Sequence, residues 1–337
     1  MRKLALLVGI NIYPGGRFED LNCCEADAEQ MSEVLSHHEP LNGGDRGQAN
    51  YATRLVTSKD PEPVTTARLR EAVNHVMTHP MGDGQVLFYF SGHGLANENG
   101  GYLVTQDSSE DAPGYPMSEL LEAANTSGND SVVIILDCCH SGEIGNITDG
   151  EGFNRVSIGP NVTVLAGSGA SQKSAEGFEN SLFTELLLES LTGGASDARG
   201  EVTAAAMYAY LEQSLGPWDQ RPVYKSYARR LEPIRRCKPA VPDETLARLP
   251  EWFRRADSSY RMDPTYECTD PSQEAAHVAI FDQFKKLRNA HLLTAPMDEK
   301  TGQEKNLYDV ALGSDVVSLT PQGRLFWKRA KRGEFYG

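Results

Sequence analysis

The sequence predicts an α/β chain: a mostly parallel sheet flanked by helices, followed by a small C-terminal helical or winged-helix-like module. Three observations predict it. Short apolar runs, most of them β-branched or aromatic, alternate with helical spacing through the first 230 residues, the pattern of a parallel sheet covered on both faces. A Pro-rich, mixed-charge stretch from Arg235 to Pro250 has the composition of a linker. Beyond it the alternation gives way to one long helical pattern and a few short elements. The expected division is therefore a first domain over 1–234, a linker over 235–250 and a C-terminal module over 251–337.

The elements follow in order. Leu4–Ile10 reads as the first strand, and Ala52–Val56, Gln85–Phe90, Tyr102–Thr105, Val132–Leu136 and Val162–Leu165 as the next ones. Between and after them, Glu25–His38, Thr65–Thr78, Ser118–Ala124, Leu182–Leu191 and Thr203–Leu215 carry helix spacing. In the C-terminal module a helical pattern covers Glu274–Leu293. A polar insert (Met297–Asn306), a short helix at Leu307–Ala311 and the run Val316–Leu319 come next. Thr320-Pro321 then opens a last helix through Lys331, because Thr is a good cap and Pro suits the first helical turn.

A chain of 337 residues can bury one sizeable core and still hold a second module. Its aliphatic runs are too short to span a bilayer. Met1–Ile10 has two basic residues before an apolar stretch, as a signal peptide does. It lacks a small-residue cleavage site and reads better as a buried strand, so the expected location is cytoplasmic. There the six cysteines are thiols, and their spacing matches no zinc motif. The net charge is −15, and from residue 251 onward 13 basic side chains balance 13 acidic ones. The first 250 residues therefore carry the whole acidic excess, which discourages nucleic acid and suits a cationic substrate.

In sheets of this kind functional groups gather at the carboxyl ends of strands. Gln85–Phe90 ends in Ser91-Gly92-His93-Gly94, and Val132–Leu136 ends in Asp137-Cys138-Cys139-His140-Ser141-Gly142. A thiol needs a base beside it to become a thiolate near neutral pH, and an imidazole supplies one. The glycines leave backbone N–H groups unobstructed, so those of Gly94 and Cys139 are candidate donors to a tetrahedral oxyanion. Alternation along the strand puts Asp137 and Cys139 on one side and Cys138 on the other. Cys139, last before the turn, is the candidate nucleophile with His93 as its partner. Cys138 is expected in the helix layer and His140 in a structural role.

The ordered pair of motifs, about 45 residues apart, resembles the caspase and metacaspase superfamily, in particular its bacterial metacaspase-like members. The segments LLVGINIYP, LNCCEADAEQM, VTVLAGSGASQKSAEG and SLFTELLLESL are similar to further parts of that family, so the resemblance covers about residues 1–230. It implies a cysteine endopeptidase working through a Cys–His dyad, with no cofactor required for the chemistry. Caspases cut after Asp and carry Gln two residues before the nucleophile. This chain has Asp137 there, as metacaspases do, and Asp27 at the place of a second pocket acid. That implies cleavage after Arg or Lys, since two carboxylates favour guanidinium or ammonium. The bland alternative for Asp27 is an ordinary exposed helix acid. Ser168–Gln172, with Ser168 first, is expected to form another wall of the pocket, and Asp107 to be structural.

The resemblance further implies a zymogen that cuts itself, for which Arg155, the only basic residue of the Gly-rich segment 143–160, is the candidate. It also raises calcium dependence, for which Asp107–Asp111 offers oxygen ligands without the spacing of a dedicated loop. Expected partners are a protein substrate with exposed Arg or Lys and an activating protease or regulatory protein, in a bacterial defence or stress pathway. The C-terminal module lacks the net basic charge and recognition helix of a DNA-binding domain. The competing function is a catalytically silent caspase-fold scaffold acting through that module.

Overall fold

The computed structural model describes residues 3–41, 47–79, 84–138, 157–167, 180–216 and 221–335. The chain divides into two compact units, Met1–Ser196 with Glu201–Lys238, and Asp197–Gly200 with Pro239–Gly337.

In the first unit β1 (Lys3–Gly9), α1 (Cys24–Ser36), β2 (Ala52–Thr57), α2 (Thr66–Thr78) and β3 (Gln85–Ser91) come first. Three short strands follow, β4 (Gly94–Asn97), β5 (Gly100–Leu103) and β6 (Tyr115–Pro116), then α3 (Met117–Thr126), β7 (Ser131–Asp137) and β8 (Val162–Ala166). The unit ends with α4 (Leu182–Glu189), β9 (Glu201–Val202), α5 (Ala204–Ser214), β10 (Val223–Ser226) and β11 (Arg235–Arg236).

Six of the described strands form one sheet in the order β10-β8-β7-β3-β1-β2. All its pairings are parallel except that of β10 on β8. Every residue of β3 and of β7 is buried, which is why both read as continuous apolar runs and lie in the middle. On one face Phe88, Phe90, Ile134, Leu136 and Cys138 pack in the core that holds Leu69 and Val73 of α2 and Leu120 of α3. On the other, Leu87, Tyr89, Val133 and Ile135 share a core with Met31 of α1, Leu187 of α4 and Leu211 of α5.

Two expectations need correction here. The run Tyr102–Thr105 is not a strand of the main sheet: β5 pairs antiparallel with β4 and β6 in a separate three-stranded sheet. The chain reverses at Gly100, whose φ of 126° suits glycine, and so folds into a hairpin immediately after His93. Arg235–Pro250 is likewise not a bare linker, since it carries β11 and the helix α6 (Asp243–Ala247) and leads into α7 (Leu249–Trp252). Val241, Leu246 and Leu249 are fully buried there.

The second unit continues with β12 (Ser259–Arg261), α8 (Ala275–Asn289), β13 (Leu293–Thr294), α9 (Leu307–Leu312), β14 (Val316–Leu319) and α10 (Pro321–Lys331). Its three strands form an antiparallel sheet in the order β12-β14-β13. Phe253, Phe281, Phe284, Val317 and Phe326 lie in its core. α10 opens where its cap residue lies, with Thr320 Oγ1 accepting from the Gly323 N–H at 3.1 Å. Among the described residues no helix is long and apolar enough to cross a membrane.

Candidate active site

The carboxyl ends of β1, β3 and β7 lie side by side, with Gly9 opposite Ser91 and Ser91 opposite Asp137. α1 begins directly over them. A Cβ on Gly9 would fall 2.2 Å from the Cys24 carbonyl oxygen, so only glycine lets the helix start that close to the strand end. The result is that Asp27, in the first turn of α1, reaches Ser91, whose hydroxyl donates to Asp27 Oδ2 at 2.9 Å.

Asp27 is fully buried, which excludes the exposed helix acid set against the pocket role. Its Oδ1 accepts from Asn180 Nδ2 at 2.9 Å and from the Ser181 N–H at 3.1 Å. Asp137 is buried nearby, with Oδ2 accepting from Thr184 Oγ1 at 2.7 Å and from the Ser181 hydroxyl. Ser181 also caps α4, its Oγ accepting from the Thr184 N–H at 3.1 Å, so the helix start and the acid pair are tied together. Burial, then the charge of Asp27, pushes the Asp137 carboxyl up from 3.8 to about 7. Burial likewise pushes Asp27 up, against the hydrogen bonds from Asn180, Ser91 and Ser181. The partners described for the two acids are all neutral donors.

His93 follows β3 by two residues and is held by the segment between β1 and α1. Its Nε2 lies 2.8 Å from the Glu19 carbonyl oxygen. A carbonyl only accepts, so in the neutral ring Nε2 carries the proton and the Nδ1 lone pair is free to take one. The His93 backbone N–H donates to Tyr13 Oη at 2.9 Å, and the rings of Tyr13 and Phe18 lie 4.8 and 5.5 Å from the imidazole. Gly92 makes room for this: a Cβ there would be 2.7 Å from Tyr13 Oη. The segment is closed on itself, the Tyr13 N–H donating to Asp20 Oδ1 and the Leu21 N–H to the Asn11 carbonyl, both at 2.8 Å. Glu25 anchors it, accepting from Asn11 Nδ2 at 3.1 Å and from Ser58 Oγ at 2.5 Å. Sequence reasoning found no third group for the imidazole, because a backbone carbonyl leaves no side-chain signature.

Gly94 opens β4 opposite Leu103. The flanking bond runs from the Val104 N–H to the His93 carbonyl at 3.0 Å, which makes Gly94–Leu103 a non-hydrogen-bonded pair whose Gly94 N–H points away from β5. Cys138 is fully buried in the α2/α3 core. Asp107 serves the start of α2, with Oδ1 accepting from the Thr66 N–H at 2.8 Å and from Thr105 Oγ1 at 2.7 Å. Cys139, His140, Arg155 and Ser168 lie outside the described residues. Among those that are described, one group brings three metal-ligating atoms within 4.8 Å of one another: Cys23, Cys24 and Asp27.

The family model described as the caspase domain matches residues 2–230. No curated protein matches the chain. Solved structures that resemble it include a protein from Geobacter sulfurreducens, at 16% identity and a TM-score of 0.48, covering 71% of this chain and 100% of that one. Caspase-1 from Spodoptera frugiperda resembles it at 13% identity and a TM-score of 0.44, over 70% of this chain and 90% of that one. The Drosophila initiator caspase Dronc does so at 9% identity and a TM-score of 0.44, over 70% and 82%. The family match spans the whole first unit up to residue 230, including the strand ends that carry His93 and Asp137, and the chain belongs to the caspase-domain family of cysteine peptidases.

Proposed function

We propose that the chain is a metacaspase-type endopeptidase that cuts proteins after Arg or Lys, with Cys139 as nucleophile and His93 as its base and acid. The observation that carries this reading is the buried pair Asp27 and Asp137 at the strand end that His93 follows, met only by neutral donors among the described residues. Burying two carboxylates without a cation is costly, and a guanidinium or ammonium from a substrate offsets that cost. Asp side chains of a caspase-type substrate would be repelled.

Cys139 stands two residues beyond Asp137 in sequence, and Asp137 is the last residue of β7. Its thiol proton passes to His93 Nδ1, the ring nitrogen that Glu19 leaves available, and the sulfur adds to the carbonyl carbon after Arg or Lys. The Gly94 N–H, directed away from β5, and that of Cys139 stabilise the oxyanion, each donor contributing about 3 kcal/mol. Collapse breaks the C–N bond, and His93 protonates the leaving amine. Water then adds to the thioester carbon, giving its proton to His93, and the carboxylate leaves with the thiol restored.

The protein acts as a zymogen, activated by cleavage at Arg155 or by a partner protease, in a defence or stress response. Its substrates are proteins with exposed Arg or Lys, and Ser168 contributes to the pocket wall. Hydrolysis of matched fluorogenic peptides ending in Arg, Lys or Asp, by wild type and Cys139→Ala, with calcium and with EDTA, tests this. Turnover after Arg or Lys that vanishes in the variant supports dyad and pocket together, and cleavage after Asp overturns the pocket. Mass spectrometry of both proteins tests Arg155, where intact wild type after incubation would sink the self-cleavage.

A further inference from the structure

Asp27 belongs to a second constellation. Cys23 immediately precedes α1 without a side-chain capping bond, and Cys24 is its first residue. Both thiols are buried, at 6% and 2% exposure, and their sulfurs lie with an Asp27 oxygen within 4.8 Å of one another. We propose that Cys23, Cys24 and Asp27 form a binding site for a soft divalent cation of the Zn2+ class.

Two sulfurs and one carboxylate oxygen are the donor set that Zn2+ prefers, with Zn–S near 2.3 Å and Zn–O near 2.0–2.2 Å. Ligands at those lengths sit roughly 3.5–4 Å apart in a tetrahedron, so the observed spread closes on an ion with shifts of the order of an ångström. Three ligands from the described residues leave a fourth position open. Ser91, Asn180 and the Ser181 N–H already orient the Asp27 carboxylate, as outer-shell partners of a ligating carboxylate do. A second observation points to a cation independently of the sulfurs. Asp27 and Asp137 share a buried place where, among the described residues, only neutral donors meet them, and a dication there would offset the burial of their carboxylate forms. On binding, each ligating thiol gives up its proton to solvent, as does the Asp27 carboxyl where it carries one, and no electron is transferred.

The consequence for activity rests on the peptidase reading, but the binding does not. Asp27 cannot serve an ion and a substrate guanidinium at once, so Zn2+ would act as a competitive inhibitor against an Arg-ending peptide, and chelation would restore turnover. This differs from an ion captured by the nucleophile, which persists only while Cys139 is present.

The test therefore uses the full chain carrying Cys139→Ala, with Co2+ and Zn2+ as probes. Titration with Co2+ is expected to give thiolate-to-cobalt charge-transfer absorption at one ion per chain, removed by an equivalent of Zn2+. Adding Cys237→Ser and Cys268→Ser should leave that band in place. Adding Cys23→Ser or Cys24→Ser should weaken Zn2+ binding, read by competition with a chromophoric chelator, by more than the roughly 10–100-fold that loss of an outer-shell partner costs. Absence of the band in Cys139→Ala, or its survival in both the Cys23→Ser and the Cys24→Ser chains, overturns the site.

Discussion

β3 and β7 have two faces that end differently. On the α2/α3 side the strands stay apolar to the last residue, from Phe88 and Phe90 through Ile134 and Leu136 to Cys138. On the α1/α4 side Leu87 and Tyr89 give way to Ser91, and Val133 and Ile135 to Asp137. Both faces pack an apolar core along the strands, but only the α1/α4 side ends in acids. Two carboxylates are kept there without a described cation, both with pKa values pushed upward by burial. The same backbone thus separates apolar from acidic strand ends by the alternation of side chains alone.

The largest expected effect breaks the functional face chemically. His93→Ala should lower kcat/KM on an Arg-ending peptide by about 10³-fold or more and leave the thermal midpoint near that of wild type, read by calorimetry. Phe88→Ala strikes the opposite face. It should cost about 3–5 kcal/mol of stability in denaturant titration, while kcat per folded molecule stays unchanged.

Asp137→Asn sharpens the contrast through pH. With its carboxyl raised from 3.8 to about 7, the folded state holds this proton more tightly than the unfolded one. Its contribution to stability is full below about pH 4 and is lost as pH rises through about 7. The amide has no such loss, so at pH 8 the variant should exceed wild type by up to about 4 kcal/mol, the two converging near pH 4, while cleavage after Arg falls. The smallest effect concerns the support of His93. Tyr13→Phe keeps the ring contact and removes the acceptor for the His93 N–H, and should lower kcat by about five- to tenfold with KM unchanged, the scale of one hydrogen bond of roughly 1 kcal/mol.

Much of this was legible in the sequence for physical reasons. β3 and β7 are runs of apolar residues bounded by glycine and charge, which only central strands tolerate. α10 begins at Pro321, directly after its cap Thr320, because cap and proline both act locally. Asp27 could be read as a pocket acid only through the family resemblance, because its burial depends on Gly9 admitting the start of α1. Other features had no local signature. The Glu19 carbonyl meets His93 through a segment folded back by Asp20 and Glu25. Asn180, Ser181 and Thr184 reach the acid pair from more than 40 residues away in sequence. The helices α6 and α7 are shorter than any window in which periodicity could show.

The most direct test of the acid pair compares kcat/KM for two otherwise identical peptides, one ending in Arg and one in citrulline, its uncharged near-isostere. The account predicts a preference for Arg of at least about 30-fold, equivalent to the roughly 2 kcal/mol of an unpaired buried charge, that collapses in Asp27→Asn and in Asp137→Asn. Equal turnover of the two peptides by wild type, or a preference that survives both substitutions, would contradict it.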